Sequence, residues 1–171
     1  MGSIIKVNEY KDFGNNDIMT SDGAGVVTPN AAGLKNTPAF YVTQTTAQAI
    51  ANNTSVTLSF GTTVFDTDSA MSSTTFTVPS GAAGKYFFYS VWRINTTTNS
   101  TRLVTDIKVN GSSIVSYNIQ NDDEDSSQAS AYADLSAGDA VTVSAYQSTG
   151  GSVNTKNTIN TVFGGHKLIG A

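Results

Sequence analysis

The chain has 171 residues, a formal net charge of −4, 13% charged residues and no cysteine. That length suits one domain of ordinary size with a short extension, and the missing cysteines exclude disulfide staples, thiolate nucleophiles and cysteine-held metals. An acidic balance without any cluster of Lys and Arg argues against a nucleic-acid partner. No apolar run reaches helical membrane-spanning length and the N-terminus carries no signal-type hydrophobic segment, so neither membrane insertion nor secretion is expected.

Residues 1–37 stand apart from the rest. Ser3–Val7 reads as a short strand, and the clusters Phe13–Asp17 and Ser21–Gly25 read as turns. The apolar residues Ile4, Ile5, Val7, Tyr10, Phe13, Ile18 and Met19 are split up by these turns and cannot assemble a core of their own. The segment is therefore expected to be an extended arm that gains its order against partner chains and anchors the protein to them.

From Pro38 the pattern changes to short extended runs. Pro38–Val42 is followed by the alternating Val56–Phe60, then a long loop from Thr62 to Ser73 with a brief extended piece at Val64–Phe65, then Thr75–Val78. After a polar turn at Asn95–Thr101, Arg102–Val109 and Ile114–Ile119 flank Asn110-Gly111, the strongest hairpin signal in the chain. An acidic loop at Asn121–Ser126 precedes Gln128–Leu135, and Ala140–Tyr146 alternates cleanly. Thr158–Ile169 closes the chain with Gly164-Gly165 inside it. Roughly nine or ten strands at short, even spacing, with no segment that needs a helix, point to an all-β sandwich or jelly roll over residues 38–171.

One strand is unusual. In Lys85–Ile94, Tyr86, Phe88, Ser90, Trp92 and Ile94 face one way and Lys85, Phe87, Tyr89, Val91 and Arg93 the other. A sheet face open to water would be polar at alternate positions, yet both faces here are apolar in the middle. One face suits the interior of a sandwich, and the other calls for a second copy of the chain.

Five pieces occur in a telling order: Pro38-Ala39-Phe40, Val78-Pro79 followed by Gly84–Phe88, Lys108–Gly111, Leu135–Val141, and Thr161–Gly165. Together they resemble the globular head domain of complement and tumour-necrosis-factor-like proteins, a ten-stranded jelly roll that forms tight trimers. The resemblance implies a homotrimer in which Tyr86, Phe87, Phe88, Tyr89, Val91, Trp92 and Phe163 divide between the core and a threefold interface. No Gly-X-Y stalk precedes the domain. The opening residues 4–25 instead look like the strand-and-turn starts of tailed-bacteriophage fibre and virion proteins that carry this head. That second resemblance implies a virion protein made in the host cytoplasm, non-enzymatic, serving as a fibre, tail or capsid-decoration component. Its partners would be other virion proteins through the arm, with a host-surface glycan or receptor for the outward-facing head. The alternative is a bacterial surface or secreted lectin-like module.

No site rises above this reading. The single histidine, His166, has no nucleophile-elbow pattern to serve, and a structural role is the reading adopted. Asp122, Asp123 and Asp125 offer the oxygen ligands calcium takes, and some relatives in the resembling family bind calcium near the threefold top. The run lacks the spacing of a dedicated calcium loop, so a solvated acidic loop is expected, with no metal or cofactor. Tyr117, Tyr132 and Tyr146 are candidates for glycan contact, although each falls in a strand where packing is the ordinary use.

Overall fold

Period-two sequence becomes antiparallel strand in the computed structural model, which describes residues 9–30, 34–95, 102–120 and 125–169. The strands are β1 Glu9–Lys11, β2 Asp17–Ser21, β3 Val27–Pro29, β4 Ala39–Gln44, β5 Ala49–Ile50, β6 Val56–Thr57, β7 Thr62–Asp66 and β8 Thr75–Thr77. They continue with β9 Gly84–Arg93, β10 Arg102–Val109, β11 Ser112–Gln120, β12 Ser126–Leu135, β13 Ala140–Gln147, β14 Val153–Asn154 and β15 Thr158–Lys167. Two five-stranded sheets face each other: one in the order β12-β9-β15-β4-β7, the other β11-β10-β13-β6 with β8 also on β13. This is the jelly-roll sandwich expected from the sequence, with β5 and β14 as an extra short pair.

The core lies between the sheets and is largely aromatic. Phe40 stacks on Phe76 at 4.8 Å between ring centroids and meets Phe163 edge-on at 4.9 Å. Phe76 also touches Tyr86 and Phe88, both at 5.7 Å. Each such ring buries roughly 150–250 Å², and offset or edge contacts add about 0.5–1.5 kcal/mol beyond the area term. The inward positions of β9, from Tyr86 through Phe88, Ser90 and Trp92, are all fully buried.

A polar chain ties the two sheets together inside this core. The Trp92 indole N–H donates to the Thr105 hydroxyl at 3.0 Å, and Thr105 donates to Ser127 Oγ at 2.7 Å. Trp92 on β9 and Ser127 on β12 are cross-strand neighbours in one sheet, while Thr105 on β10 belongs to the other. All three are buried, so each bond satisfies a group that has no water to turn to.

Three segments differ from the sequence reading. Val56–Phe60 forms a ladder only over β6, yet Leu58 still donates its amide to the Val143 carbonyl at 2.9 Å, and Leu58 and Phe60 are buried. The loop expected at Thr62–Ser73 begins as a full edge strand, β7, because its backbone finds β4 as a partner. Residues 9–30 are not simply an extended arm: β1, β2 and β3 form their own antiparallel sheet. Local polar bonds replace a core there. Asp12 Oδ1 accepts the Asn16 amide at 2.9 Å, Asp22 Oδ1 accepts the Ala24 amide at 2.7 Å, and Lys11 pairs with Asp17 across the hairpin.

The Asn110-Gly111 turn is clipped to a second turn. Asp139 accepts Asn110 Nδ2 and the Ser136 amide, both at 2.8 Å, while Asn110 Oδ1 accepts the Ala140 amide at 2.9 Å. Asn110 itself is left-handed at φ 50°, as the hairpin requires. The Asn110 side chain first, and the Ser136 amide second, hold the Asp139 carboxyl below the usual carboxylate range. A carboxyl depressed on folding contributes stability above its unfolded pKa, and that contribution is lost as pH falls through the lower folded value. Carboxyl NMR should therefore show Asp139 titrating below an ordinary aspartate, and Asn110→Gly, which keeps the left-handed turn, should move its midpoint upward. For the inter-sheet tie, Thr105→Val leaves the Trp92 N–H buried without an acceptor. The expected cost is about 1–3 kcal/mol, read as a melting point lowered by roughly 3–12 °C.

Candidate interaction face

The side of the β12-β9-β15-β4-β7 sheet that points away from the core is the feature most in need of a partner. Its strand register brings Phe87 between His166 and Tyr132, and Tyr89 between Gly164 and Ser130, while Gly164 also lies opposite Tyr41 and Tyr41 opposite Phe65. The rings form a connected set: Phe87 to Tyr132 at 5.1 Å, Phe87 to Tyr89 at 6.4 Å, Tyr89 to Tyr41 at 6.3 Å and Tyr41 to Phe65 at 6.4 Å. Phe65 is 48% exposed, Tyr132 72% and Tyr89 37%. Burial first, and the neighbouring Tyr41 second, push the Tyr89 hydroxyl up from its ordinary value.

Gly164 and Gly165 make this arrangement possible. A Cβ at Gly164 would lie 2.8 Å from Tyr89 Cε1, so a side chain there would displace the ring that bridges toward Tyr41. A Cβ at Gly165, on the opposite face, would lie 2.5 Å from Phe88 Cδ1 and 2.9 Å from the Phe87 carbonyl. The strand thus yields space on both faces to aromatic residues of β9.

A groove runs beside the aromatic set. Val115 and Tyr117 of edge strand β11 line, with Tyr89, Val91, Gln128 and Ser130, an open hollow of about 330 Å³. It is continuous with a second hollow of about 310 Å³ that reaches Ile119 and Ser126. His166 lies beside the Phe87 ring at 5.8 Å, and among the described residues no three His, Asp or Glu side chains converge as a metal site.

The residues singled out in the sequence divide sharply. Tyr86, Phe88, Trp92 and Phe163 are wholly inside the sandwich, whereas Phe87, Tyr89 and Val91 belong to the outer face. Asp122 and Asp123 lie outside the described residues, and Asp125 is paired with Arg93, whose Nε donates to it at 2.6 Å. Ile4, Ile5 and Val7 also lie outside them. Tyr10 and Phe13 are exposed, and Ile18 and Met19 are partly covered in β2. Tyr146 is held by Asn53, with Arg102 over its ring, while Tyr117 and Tyr132 stand exposed on edge strands. Tyr41, Phe65 and the role of Gly164 were not anticipated. The alternation Phe40, Tyr41, Val42 carries the signal for Tyr41, since the buried neighbours force it outward.

Comparison with known proteins bears on this geometry. A family profile for the C1q domain matches residues 39–168. The globular domain of zebrafish complement 1qA protein is similar in structure, with a TM-score of 0.54 at 19% identity over 77% of this chain and 97% of that one. Murine APRIL is similar with a TM-score of 0.59 at 14% identity over 76% of this chain and 98% of that one. No curated protein matches the sequence. At these identities the solved structures speak for the fold alone. Domains of this kind are typically homotrimeric, non-enzymatic binding modules. A single jelly roll with an aromatic outer sheet face, matched over most of its length, places this chain in the C1q domain family.

Proposed function

We propose that the chain is a homotrimeric, non-enzymatic structural protein of a bacteriophage particle, a fibre, tail or capsid-decoration component whose jelly-roll head faces outward. The observation that carries the trimer is the connected aromatic set Phe65, Tyr41, Tyr89, Phe87 and Tyr132 on an otherwise solvent-facing sheet. Contiguous apolar area of this kind marks a protein–protein contact, and the neighbouring groove supplies a concave seat for the edge of another copy. The particle role draws support from residues 9–30, which hold their shape with local polar bonds and leave Tyr10, Phe13, Val26 and Val27 exposed for a partner. The cysteine-free chain suits assembly in a reducing cytoplasm. A second reading, a bacterial surface or secreted lectin-like module, is favoured by the exposed Tyr132 and Tyr117, which are rings of the kind that stack on sugars. Binding to a glycan array by particle-free protein would select it.

Light scattering on the purified chain should give three times the monomer mass, because obligate interfaces commonly bury upwards of about 2,000 Å². Tyr89→Lys places a cation at the centre of the aromatic set and should yield a folded species of lower mass. A wild-type monomer at micromolar concentration overturns the trimer. A truncated chain starting at Pro38 should remain a folded trimer yet be missing from assembled particles that incorporate the full chain. Normal incorporation of the truncated form would move the anchor into the jelly roll, and failure to fold would show that head and arm are one unit.

A further inference from the structure

Lys167 ends β15 directly opposite Tyr86. Residues opposite one another in an antiparallel pair share a sheet face, so the Lys167 side chain enters the end of the sandwich rather than its outer surface. It is only 6% exposed, and among the described residues no hydrogen bond or ion pair engages its ammonium. Its stem is buried, and an ammonium at the end of such a stem without a carboxylate partner is one that an anion can meet.

Lys167 lines a cavity of about 220 Å³ at the base of the head, next to Lys35, Ser80 and Pro38. Among the described residues no fully enclosed side-chain nitrogen or oxygen lacks a partner, so the unpaired ammonium retains contact with solvent. Asp68 also borders the cavity, but it already accepts the Thr67 hydroxyl at 2.6 Å and forms no ion pair with either lysine among the described residues. Its charge reaches Tyr86 instead, where burial first and Asp68 second push the hydroxyl up to about 12. Among the described lining residues two cations stand against one carboxylate. The cavity's volume admits a group of a few heavy atoms, and Ser80 also lines it.

We propose that this cavity binds a small oxyanion, a phosphate or a carboxylate, held between the ammonium groups of Lys167 and Lys35. The site is separate from the aromatic sheet face, with Lys35 supplied by the segment before Pro38 and Lys167 by the jelly roll. It lies where the chain enters and leaves the jelly roll, since Pro38 accepts the Lys167 amide at 3.0 Å.

Calorimetric titration of the full chain with inorganic phosphate, and separately with acetate, at constant ionic strength tests it. One anion per chain should bind. Lys167→Met should weaken that binding by about tenfold or more, the worth of one charge-assisted hydrogen bond, and Lys35→Met should weaken it in the same direction. Asp68→Asn, which removes the opposing charge, should tighten it. Tighter phosphate assigns the site to a phosphoryl group and tighter acetate to a carboxylate, and either supports it. Melting without added anion gives a second reading: Lys167→Met removes an uncompensated cation and should melt no lower than wild type. Absence of binding to both anions at millimolar concentration overturns the proposal. So does a Lys167→Met protein that melts lower but binds as wild type, since Lys167 would then serve packing alone.

Discussion

At Gly164 and Gly165 one sheet has no side chain on either face, and rings from β9 fill both gaps. Phe88 closes over Gly165 toward the core, and Tyr89 closes over Gly164 toward the outside. Two sets of aromatic contacts depend on these approaches. Phe88 at that depth can touch Phe40, Phe76 and Phe163 together, and Tyr89 at that height can stack toward Tyr41 across the intervening strand. A methyl group at either glycine would push β9 side chains into neighbours that are already in van der Waals contact.

The sandwich is also held by directional bonds, and these set the relation between its sheets. Hydrophobic area alone would tolerate some sliding of one sheet over the other. The path from Trp92 through Thr105 to Ser127 does not, because a shift of either sheet would strand a buried donor. Elsewhere the same device recurs with glutamines: buried Gln44 and Gln147 satisfy backbone carbonyls of Ser59, Ile50 and Gly151 where short strands leave their ladders incomplete. The stability of the fold thus combines an aromatic interior with a few specific polar ties.

The two ends and two faces of the head differ in chemistry. Its outer sheet face is aromatic and nearly uncharged at the centre, which favours association through area and shape. Its base carries Lys35, Lys167 and Asp68 around a small cavity, which favours recognition by charge. Residues 9–30 add a third surface, a small polar-stapled sheet with apolar side chains turned to solvent.

Much of this was legible in the sequence. Alternation in Lys85–Arg93 separated Tyr86, Phe88 and Trp92 from Phe87, Tyr89 and Val91, and the structure divides them along that line, because a strand's side chains must alternate whatever surrounds it. Asn110-Gly111 marked its hairpin through the left-handed backbone that turn demands. The class of fold followed from many such local signals that agree with one another. What sequence could not supply was adjacency across distant strands. Nothing near Gly164 in the chain announces Tyr41 or Tyr89, more than seventy residues away, and nothing near Lys167 announces Lys35 or Asp68. Those neighbours exist only once β15 is threaded between β4 and β9. The interaction face and the cationic cavity are therefore products of topology, whereas the strands that build them are products of local pattern.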